Sequence, residues 1–386
     1  MSKKLNTIGF DAKRIVRNGT GLGSYGRTLV NSLALAAPDT QLLLYAPDEG
    51  DGRLRSQVES RPNVRFVHPQ GFLGGVPVLS RLWRDYWRTR GMVGDLQRDN
   101  VALYHGLSGE LPMGLHRAGI RGVVTIHDLI FLRHPEYYKP LDVYIYKRKF
   151  HASLKEAERV VAISECTKRD ILAYSDYPAD RISVVYQSCG TRFRTKVDAE
   201  KQAEVRARYG LPGRYVLNVG TIEERKNVLL AVKVLTCDAL RDAHLVVVGR
   251  PTAYTRRVVQ PYMEKMGLEG RVHLLSGVPN DDLPAIYQMA QCFVYPSRYE
   301  GFGIPVIEAI QSGLPVVAAT GSCLEEAGGP DCLYVSPDDH VAMASAIVRA
   351  MAESGPRVER SLQYISRFEN ADTALRMLDV YAQVME

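Results

Sequence analysis

Two glutamates, Glu300 and Glu308, stand on either side of a glycine-rich turn in RYEGFGIPVIEAIQSGLPVVAA, Arg298–Ala319. On one unbroken helix, residues eight apart would share a face and lie about 12 Å apart along the axis. Gly301, Gly303 and Pro305 argue against that helix. A strand that ends near Ser297, a loop holding Glu300, and a helix with Pro305 in its first turn fit better. The amides of Phe302, Gly303 and Ile304 then become helix-start donors suited to phosphate or hydroxyl oxygens. A carboxylate in such a loop can accept hydrogen bonds from a sugar. One a turn into the helix can hold a vicinal diol such as a ribose. Either acid alone would equally serve the helix dipole.

Three further segments carry candidate chemistry. VGTIEERKN, Val219–Asn227, puts Arg225 and Lys226 where the chain enters a helix. The helix dipole disfavours cations there, whereas a diphosphate leaving group gains negative charge that fixed cations stabilise. VVTIHDLIF, Val123–Phe131, ends a very apolar strand in His127 and Asp128. Polar residues at the carboxyl end of a strand in an open α/β sheet usually face a ligand crevice. TGLGSYGR, Thr20–Arg27, holds Gly21 and Gly23 after the first strand. It lacks the spacing of the dinucleotide fingerprint, and it suits a plain tight turn as well as close approach to a ligand.

The elements that must position these groups alternate in type. NTIGFD, LLLYAP, VRFVHP, LYHG, VVTIHD and VVAIS read as strands in the first half, with helical periodicity between them. The pattern restarts at RYVLNVG and continues through HLVVVG, RVHLLSG, CFVYPS and LPVVAA. Alternation of this kind predicts parallel sheets covered by helices on both faces. The expectation is an α/β chain of two Rossmann-like domains facing across a cleft. Residues 1–190 form the first domain, 191–365 the second, and 366–386 a C-terminal helix returning to the first.

Composition narrows the function classes. The chain has 386 residues, 46% of them apolar, with no run approaching the ~20 apolar residues of a membrane span. The segment MSKKLNTIGFDAKRIV does not read as a signal peptide, and six cysteines without a paired spacing suit a reduced compartment. The expected location is cytoplasmic, extending to the inner face of the cell membrane. Met1–Gly190 holds 27 basic and 19 acidic residues, whereas Thr191–Glu386 holds 22 and 24. The excess in the first half suggests an anionic partner, a membrane surface or phosphates. Without a Lys/Arg-dense tract, nucleic acid is not expected. LSRLWRDYWRTRGMVGDLQR, Leu79–Arg98, places Trp83 and Trp87 among arginines, and YIYKRKF, Tyr144–Phe150, adds a second aromatic-basic cluster. Both suit an anionic membrane interface, and the tryptophans suit a domain core equally.

The ordered segments TGLGSYGRTL, LYHGLSGELP, TIHDL, VGTIEERKN, LSGVPNDDLPAIYQMA and VYPSRYEGFGIPVIEAIQSGLPVVAA together resemble the retaining glycosyltransferases of family four, which have the GT-B fold. The resemblance covers nearly the whole chain, and the Glu-x7-Glu segment is its most specific mark. It implies transfer of a hexose, with a mild lean to mannose from a guanosine donor, to a glycan or lipid-linked glycan in cell-surface polysaccharide synthesis. Glu308 would hold the donor ribose, and Glu300 would lie by the donor sugar with Gly301, Phe302, Gly303 and Ile304. Lys226 would bind the diphosphate, Gly21 and Gly23 would meet it from the first domain, and Val278 beside Gly277 would flank the base. His127 would lie near the transferred sugar, with His105 and Asp128 on the acceptor side. Many members carry an arginine directly after the glycine matching Gly220. Here that residue is Thr221, and Arg225 is inferred to supply the cation. No cofactor or metal is expected beyond the nucleotide-sugar co-substrate. The alternatives are a nucleotide-sugar epimerase, a phosphorylase, or a non-catalytic nucleotide-sugar-binding module on the same fold.

Overall fold

The computed structural model describes residues 6–69 and 83–386. The chain divides into two compact units, Met1–Ser188 with Phe368–Glu386, and Cys189–Arg367. The first unit holds β1 (Thr7–Asp11), β2 (Gln41–Tyr45), β3 (Val64–Val67), β4 (Leu103–Gly106), β5 (Arg121–Ile126), β6 (Arg159–Ala162) and β7 (Ile182–Val184). Its sheet runs in the order β3-β2-β1-β4-β5-β6-β7. The second unit holds β8 (Tyr215–Val219), β9 (His244–Val248), β10 (Val272–Leu275), β11 (Cys292–Tyr295), β12 (Val316–Ala319) and β13 (Leu333–Val335), in the order β10-β9-β8-β11-β12-β13. Every pairing within both sheets is parallel. Each unit is thus Rossmann-like. The strand order reverses between β1 and β4 in one and between β8 and β11 in the other. That is where an open parallel sheet leaves a crevice at its carboxyl edge.

Six helices position the functional groups: α1 (Lys13–Arg17), α2 (Gly21–Ala36), α3 (Pro140–Glu156), α4 (Val228–Lys233), α5 (Ile304–Gln311) and α6 (Asn370–Met385). The strands are apolar on both faces because both faces are covered. Ile8, Phe10, Leu42 and Leu44 pack with Leu29, Val30 and Leu33 of α2 and Met377 and Tyr381 of α6. The alternate residues Leu43, Tyr45 and Tyr104 pack with Phe150 and Leu154 of α3 on the other face. In the second unit, Val216, Leu245, Val247 and Val294 pack against Leu230 and Ala231 of α4.

Two strands escaped the sequence reading. β7 and β13 are three residues long and lie at sheet edges, too short to show any period. The glycine loop expected at Thr20–Arg27 is instead the first turns of α2, which begins at Gly21. The Asn18 side chain accepts from the amides of Thr20 (2.8 Å) and Gly23 (3.3 Å), so it caps that helix start. Gly23 is needed for contact rather than for a turn. A Cβ there would stand 1.8 Å from the Asn18 carbonyl oxygen.

Candidate active site

The second unit gathers most of the predicted residues at its strand-order reversal. After β8, Asn227 adopts a left-handed conformation, φ 55°. Its side-chain amide donates to the carbonyls of Pro296 (3.1 Å) and Pro337 (2.7 Å). One side chain therefore ties together the loops that follow β8, β11 and β13. The Arg298 amide donates to the Arg225 carbonyl at 2.9 Å and adds a second tie. This clamp holds Arg225 and Lys226 against Glu300.

Glu300 is buried, with 8% of its surface exposed, and its carboxylate is saturated with donors. Oε1 accepts from Lys226 Nζ at 2.5 Å, Ser297 Oγ at 2.6 Å and Tyr295 OH at 3.1 Å. Oε2 lies 3.1 Å from Arg225 Nη1. Burial opposes ionisation, but the charges of Lys226 and Arg225 and the bonds from Lys226 and Ser297 outweigh it, holding the carboxyl at about 2. Arg225 also donates to the Tyr299 carbonyl at 2.6 Å and pairs with Glu223 at 2.7 Å. Glu300 and Glu223 raise its pKa against burial. The structure thus places the Arg225 guanidinium, four residues after Thr221, directly on the Glu300 carboxylate.

Glu308 sits one turn inside α5. That helix starts because Gly303 takes φ 116°, a conformation strained for a residue with a side chain, and Pro305 occupies a position that needs no amide hydrogen. Gly301, Phe302, Gly303 and Ile304 form the link between the two acids. The Cys323 thiol lies against the carbonyls of Glu300 (3.1 Å) and Phe302 (2.8 Å) and fixes that link from beneath. Glu308 accepts from Tyr287 OH at 3.1 Å and lies 3.7 Å from Arg192. Its side chain is 14% exposed. Burial raises its carboxyl to about 7, with Arg192 and Tyr287 offsetting only part of the effect. The two acids therefore differ in character: Glu300 is ionised and enclosed, while Glu308 titrates near neutrality.

Sequence reading missed four residues of this site. Tyr295 and Ser297 serve Glu300, and Tyr287 and Arg192 serve Glu308. The aromatic rings Phe193, Tyr287, Phe293 and Tyr295 follow one another at centroid separations of 5.1, 5.5 and 5.7 Å. This row of rings joins the supports of the two acids. The VYPS motif carried two of them, but only the fold turns their hydroxyls toward Glu300. Val278 is half-buried in the loop after β10, a strand separated from β8 by β9.

In the first unit, His127 follows β5 and is half-buried. Its Nε2 donates to the Leu107 carbonyl at 2.8 Å, and its Nδ1 accepts from the Gln187 amide at 2.7 Å. A carbonyl only accepts, so the ring is the neutral Nε2–H tautomer. Burial lowers its pKa to about 4, with the Leu107 carbonyl opposing and the Arg14 charge assisting. Both nitrogens are engaged, so this histidine is not set up to carry a proton. Asp128 is half-buried and accepts from the Ile130 amide at 3.2 Å.

His105 corrects the reading of it as an acceptor-side residue. It is wholly buried, with Nδ1 bonded to Tyr381 OH at 2.7 Å and Nε2 to Thr125 Oγ1 at 2.8 Å. Tyr25 OH reaches the same threonine at 3.2 Å. The histidine joins β4, β5 and α6 inside the core because those hydroxyls satisfy it there, and burial drives its pKa to about 3. Gly21 is exposed at the start of α2, and Gly23 is buried by the contact already described.

The tryptophan stretch divides. Residues 79–82 lie outside the described residues. Trp87 is a core residue whose indole donates to Asp95 at 2.6 Å. Trp83 is half-buried beside exposed Tyr86, with ring centroids 5.8 Å apart. Among the described residues, no helix is long and apolar enough to cross a membrane.

Residues 21–188 match the family model described as Glycosyltransferase Family 4, and residues 213–353 match that described as Glycosyl transferases group 1. The chain is 30% identical over 372 residues to O-antigen chain mannosyltransferase B of Escherichia coli, covering 94% of this chain and 96% of that protein. It is 26% identical over 280 residues to the GDP-mannose:cellobiosyl-diphosphopolyprenol alpha-mannosyltransferase of Xanthomonas campestris, covering 68% and 72%. Sucrose-phosphate synthase from Thermosynechococcus elongatus shares the fold, with a TM-score of 0.77 at 21% identity over 98% of both chains. Two parallel Rossmann-like sheets, a cation pair on a buried glutamate and these likenesses agree: the chain belongs to the group 1 glycosyltransferases of family four and is a glycosyltransferase of the GT-B fold.

Proposed function

We propose that the chain transfers mannose, with retention, from GDP-mannose to a glycan or lipid-linked glycan during cell-surface polysaccharide synthesis. The observation that carries this reading is the meeting of Arg225, Lys226 and Glu300 at the β8/β11 reversal, with Glu308 on the next helix. Diphosphate oxygens take over the two cations, Glu308 accepts from the ribose hydroxyls, and the sugar lies by Glu300. The names of the relatives in Escherichia coli and Xanthomonas campestris support mannose as the sugar. The first unit, Met1–Ser188 with Phe368–Glu386, serves as the acceptor half.

In the proposed step the bond from the anomeric carbon to the leaving phosphate oxygen breaks. The acceptor oxygen bonds to the same face, and its proton passes to that phosphate oxygen. Arg225 and Lys226 stabilise the growing charge without a divalent metal. Glu300 is a positioning group rather than a nucleophile: Ser297 and Tyr295 still hold its carboxylate when the diphosphate draws Lys226 and Arg225 away. We also assign peripheral attachment to an anionic membrane surface to α3, which exposes Leu141, Tyr144, Ile145 and Tyr146 next to Lys147 and Arg148. Salt-insensitive failure to float with anionic vesicles would remove that assignment.

The deciding experiment offers GDP-mannose, UDP-glucose and UDP-galactose with a mannosylated polyprenyl diphosphate acceptor and reads the product by NMR. An α-mannoside formed only from GDP-mannose is expected. Turnover of a uridine donor in preference, or an inverted linkage, refutes the proposal.

A further inference from the structure

The first unit has its own strand-order reversal, between β1 and β4, and a different set of charges gathers there. Lys13 opens α1 directly after β1, with Arg14 beside it. Arg88 spans the carboxyl ends of the two strands. It lies 3.1 Å from Glu110, in the segment after β4, and 3.9 Å from Asp11 at the end of β1. Ser108 Oγ donates to Asp11 at 2.9 Å, and Lys149 of α3 pairs with Glu110 at 2.9 Å.

The two acids are therefore already committed. Asp11 is held by Arg88, Ser108 and the Lys13 amide, and Glu110 by Arg88 and Lys149. Four cations face two carboxylates. Among the described residues, the Lys13 ammonium and the Arg14 guanidinium have no ion-pair or hydrogen-bond partner. Lys13 is half-buried, and burial followed by repulsion from Arg88 lowers its pKa, outweighing the pull of Glu110 and Asp11, neither of which pairs with its ammonium. Arg14 also acts on His127, which directly follows the next strand, β5. A half-buried ammonium left unpaired beside other cations costs free energy that a bound anion returns. This crevice is where open α/β sheets bind ligands.

We propose that Lys13 and Arg14, beside Arg88, form a binding site for a phosphate or diphosphate group carried by the acceptor substrate. The site rests on the proposed transfer reaction only in naming the acceptor as the anion's carrier; the charge arrangement stands independently. A phosphate there accepts from Lys13 and Arg14, the free cations, while Arg88 keeps its carboxylates. It brings the acceptor to the β1/β4 edge, one strand from His127. The anion has two chemical sources: a prenyl-linked diphosphate, or a phosphate substituent on the glycan itself.

The test is calorimetric titration of the full-length chain with inorganic pyrophosphate, first with the nucleotide site saturated by GDP and then without GDP in Lys226→Met. Pyrophosphate is expected to bind both the GDP-saturated wild type and GDP-free Lys226→Met, more weakly as salt rises. Lys13→Met/Arg14→Ser is expected to weaken that binding at least tenfold while GDP binding stays unchanged and the melting temperature does not fall, since neither side chain supports the fold. Equal pyrophosphate binding by the double variant and wild type, or none by either, overturns the proposal. Failure of wild type to bind GDP instead counts against the donor reading, and the Lys226→Met titration still decides the anion site. Farnesyl diphosphate binding tenfold tighter than pyrophosphate identifies the prenyl-linked source. Parity between them identifies a phosphate on the glycan.

Discussion

Replacing Glu308 with glutamine separates two opposed consequences of one carboxyl group. In the folded protein its pKa is raised from 4.5 to about 7 by burial. Between those values the folded state holds a proton that the unfolded chain has released. Stability therefore falls as pH rises through this window. At about 1.36 kcal/mol per unit, ionised Glu308 costs about 3 kcal/mol at pH 8 and under about 1 kcal/mol at pH 5. Glutamine keeps the bond from Tyr287 and cannot ionise. Unliganded Glu308→Gln should thus melt roughly 6–12 °C higher than wild type at pH 8, with most of the gain gone at pH 5. Donor binding should move the other way. Two charge-assisted bonds to the ribose diol, each worth about 1.5–3 kcal/mol, weaken when the acceptor is a neutral amide. Affinity for GDP-mannose should fall about 10–100-fold at pH 8, and the wild-type gain in affinity from pH 6 to pH 8 should vanish. Differential scanning calorimetry and isothermal titration at both pH values read the two effects. Identical pH profiles of melting temperature in wild type and variant would refute the assignment of Glu308 as the group titrating near neutrality.

Four further outcomes follow from the same geometry. Glu300→Gln should lower kcat/KM by about 10²–10³-fold through loss of positioning, and intact-mass analysis of wild type under turnover should show no glycosyl adduct; an adduct on Glu300 would make it a nucleophile. Lys226→Met should cost a similar factor in kcat/KM and about 1–3 kcal/mol of stability, because the buried carboxylate loses an ion partner; unchanged kcat would remove the diphosphate role. Gly303→Ala should destabilise by about 1–3 kcal/mol, since φ is 116° and a Cβ would stand 2.8 Å from Leu324; a neutral melting temperature contradicts this. Activity should survive exhaustive chelation by EDTA, and a strict requirement for added Mg²⁺ or Mn²⁺ would show that Arg225 and Lys226 are not the whole counter-charge.

The legible parts of this protein were those with long periods or rigid local chemistry. Eleven strands announced themselves as apolar runs, because parallel strands are covered on both faces and have no polar alternation to confuse them. Gly303 and Pro305 marked the break between Glu300 and Glu308, since few residues adopt those backbone states. The three-residue strands β7 and β13 could not be read, because they form only by pairing with neighbours already in place. Gly23 looked like part of a flexible loop, whereas it is a contact glycine under the Asn18 carbonyl. That distinction depends on residues outside the motif.

Sequence alone determined the fold class, the order of elements, and the identity of the acids and cations at the carboxyl ends of β8 and β11. These depend on periodicity and on the short-range rules that start and stop helices. Only the tertiary structure decided what those groups experience. Glu300 and Lys226 are separated by 74 positions, yet they share a hydrogen bond. Glu300 is held near 2 by two cations, while Glu308, eight residues on, is raised to about 7 by burial. Tertiary packing likewise made His105 a core tie and Trp87 a core anchor, and left Lys13 and Arg14 without an ion-pair partner among the described residues. Local sequence sets which groups exist, but a charge's energy depends on the dielectric and partners that distant segments bring to it.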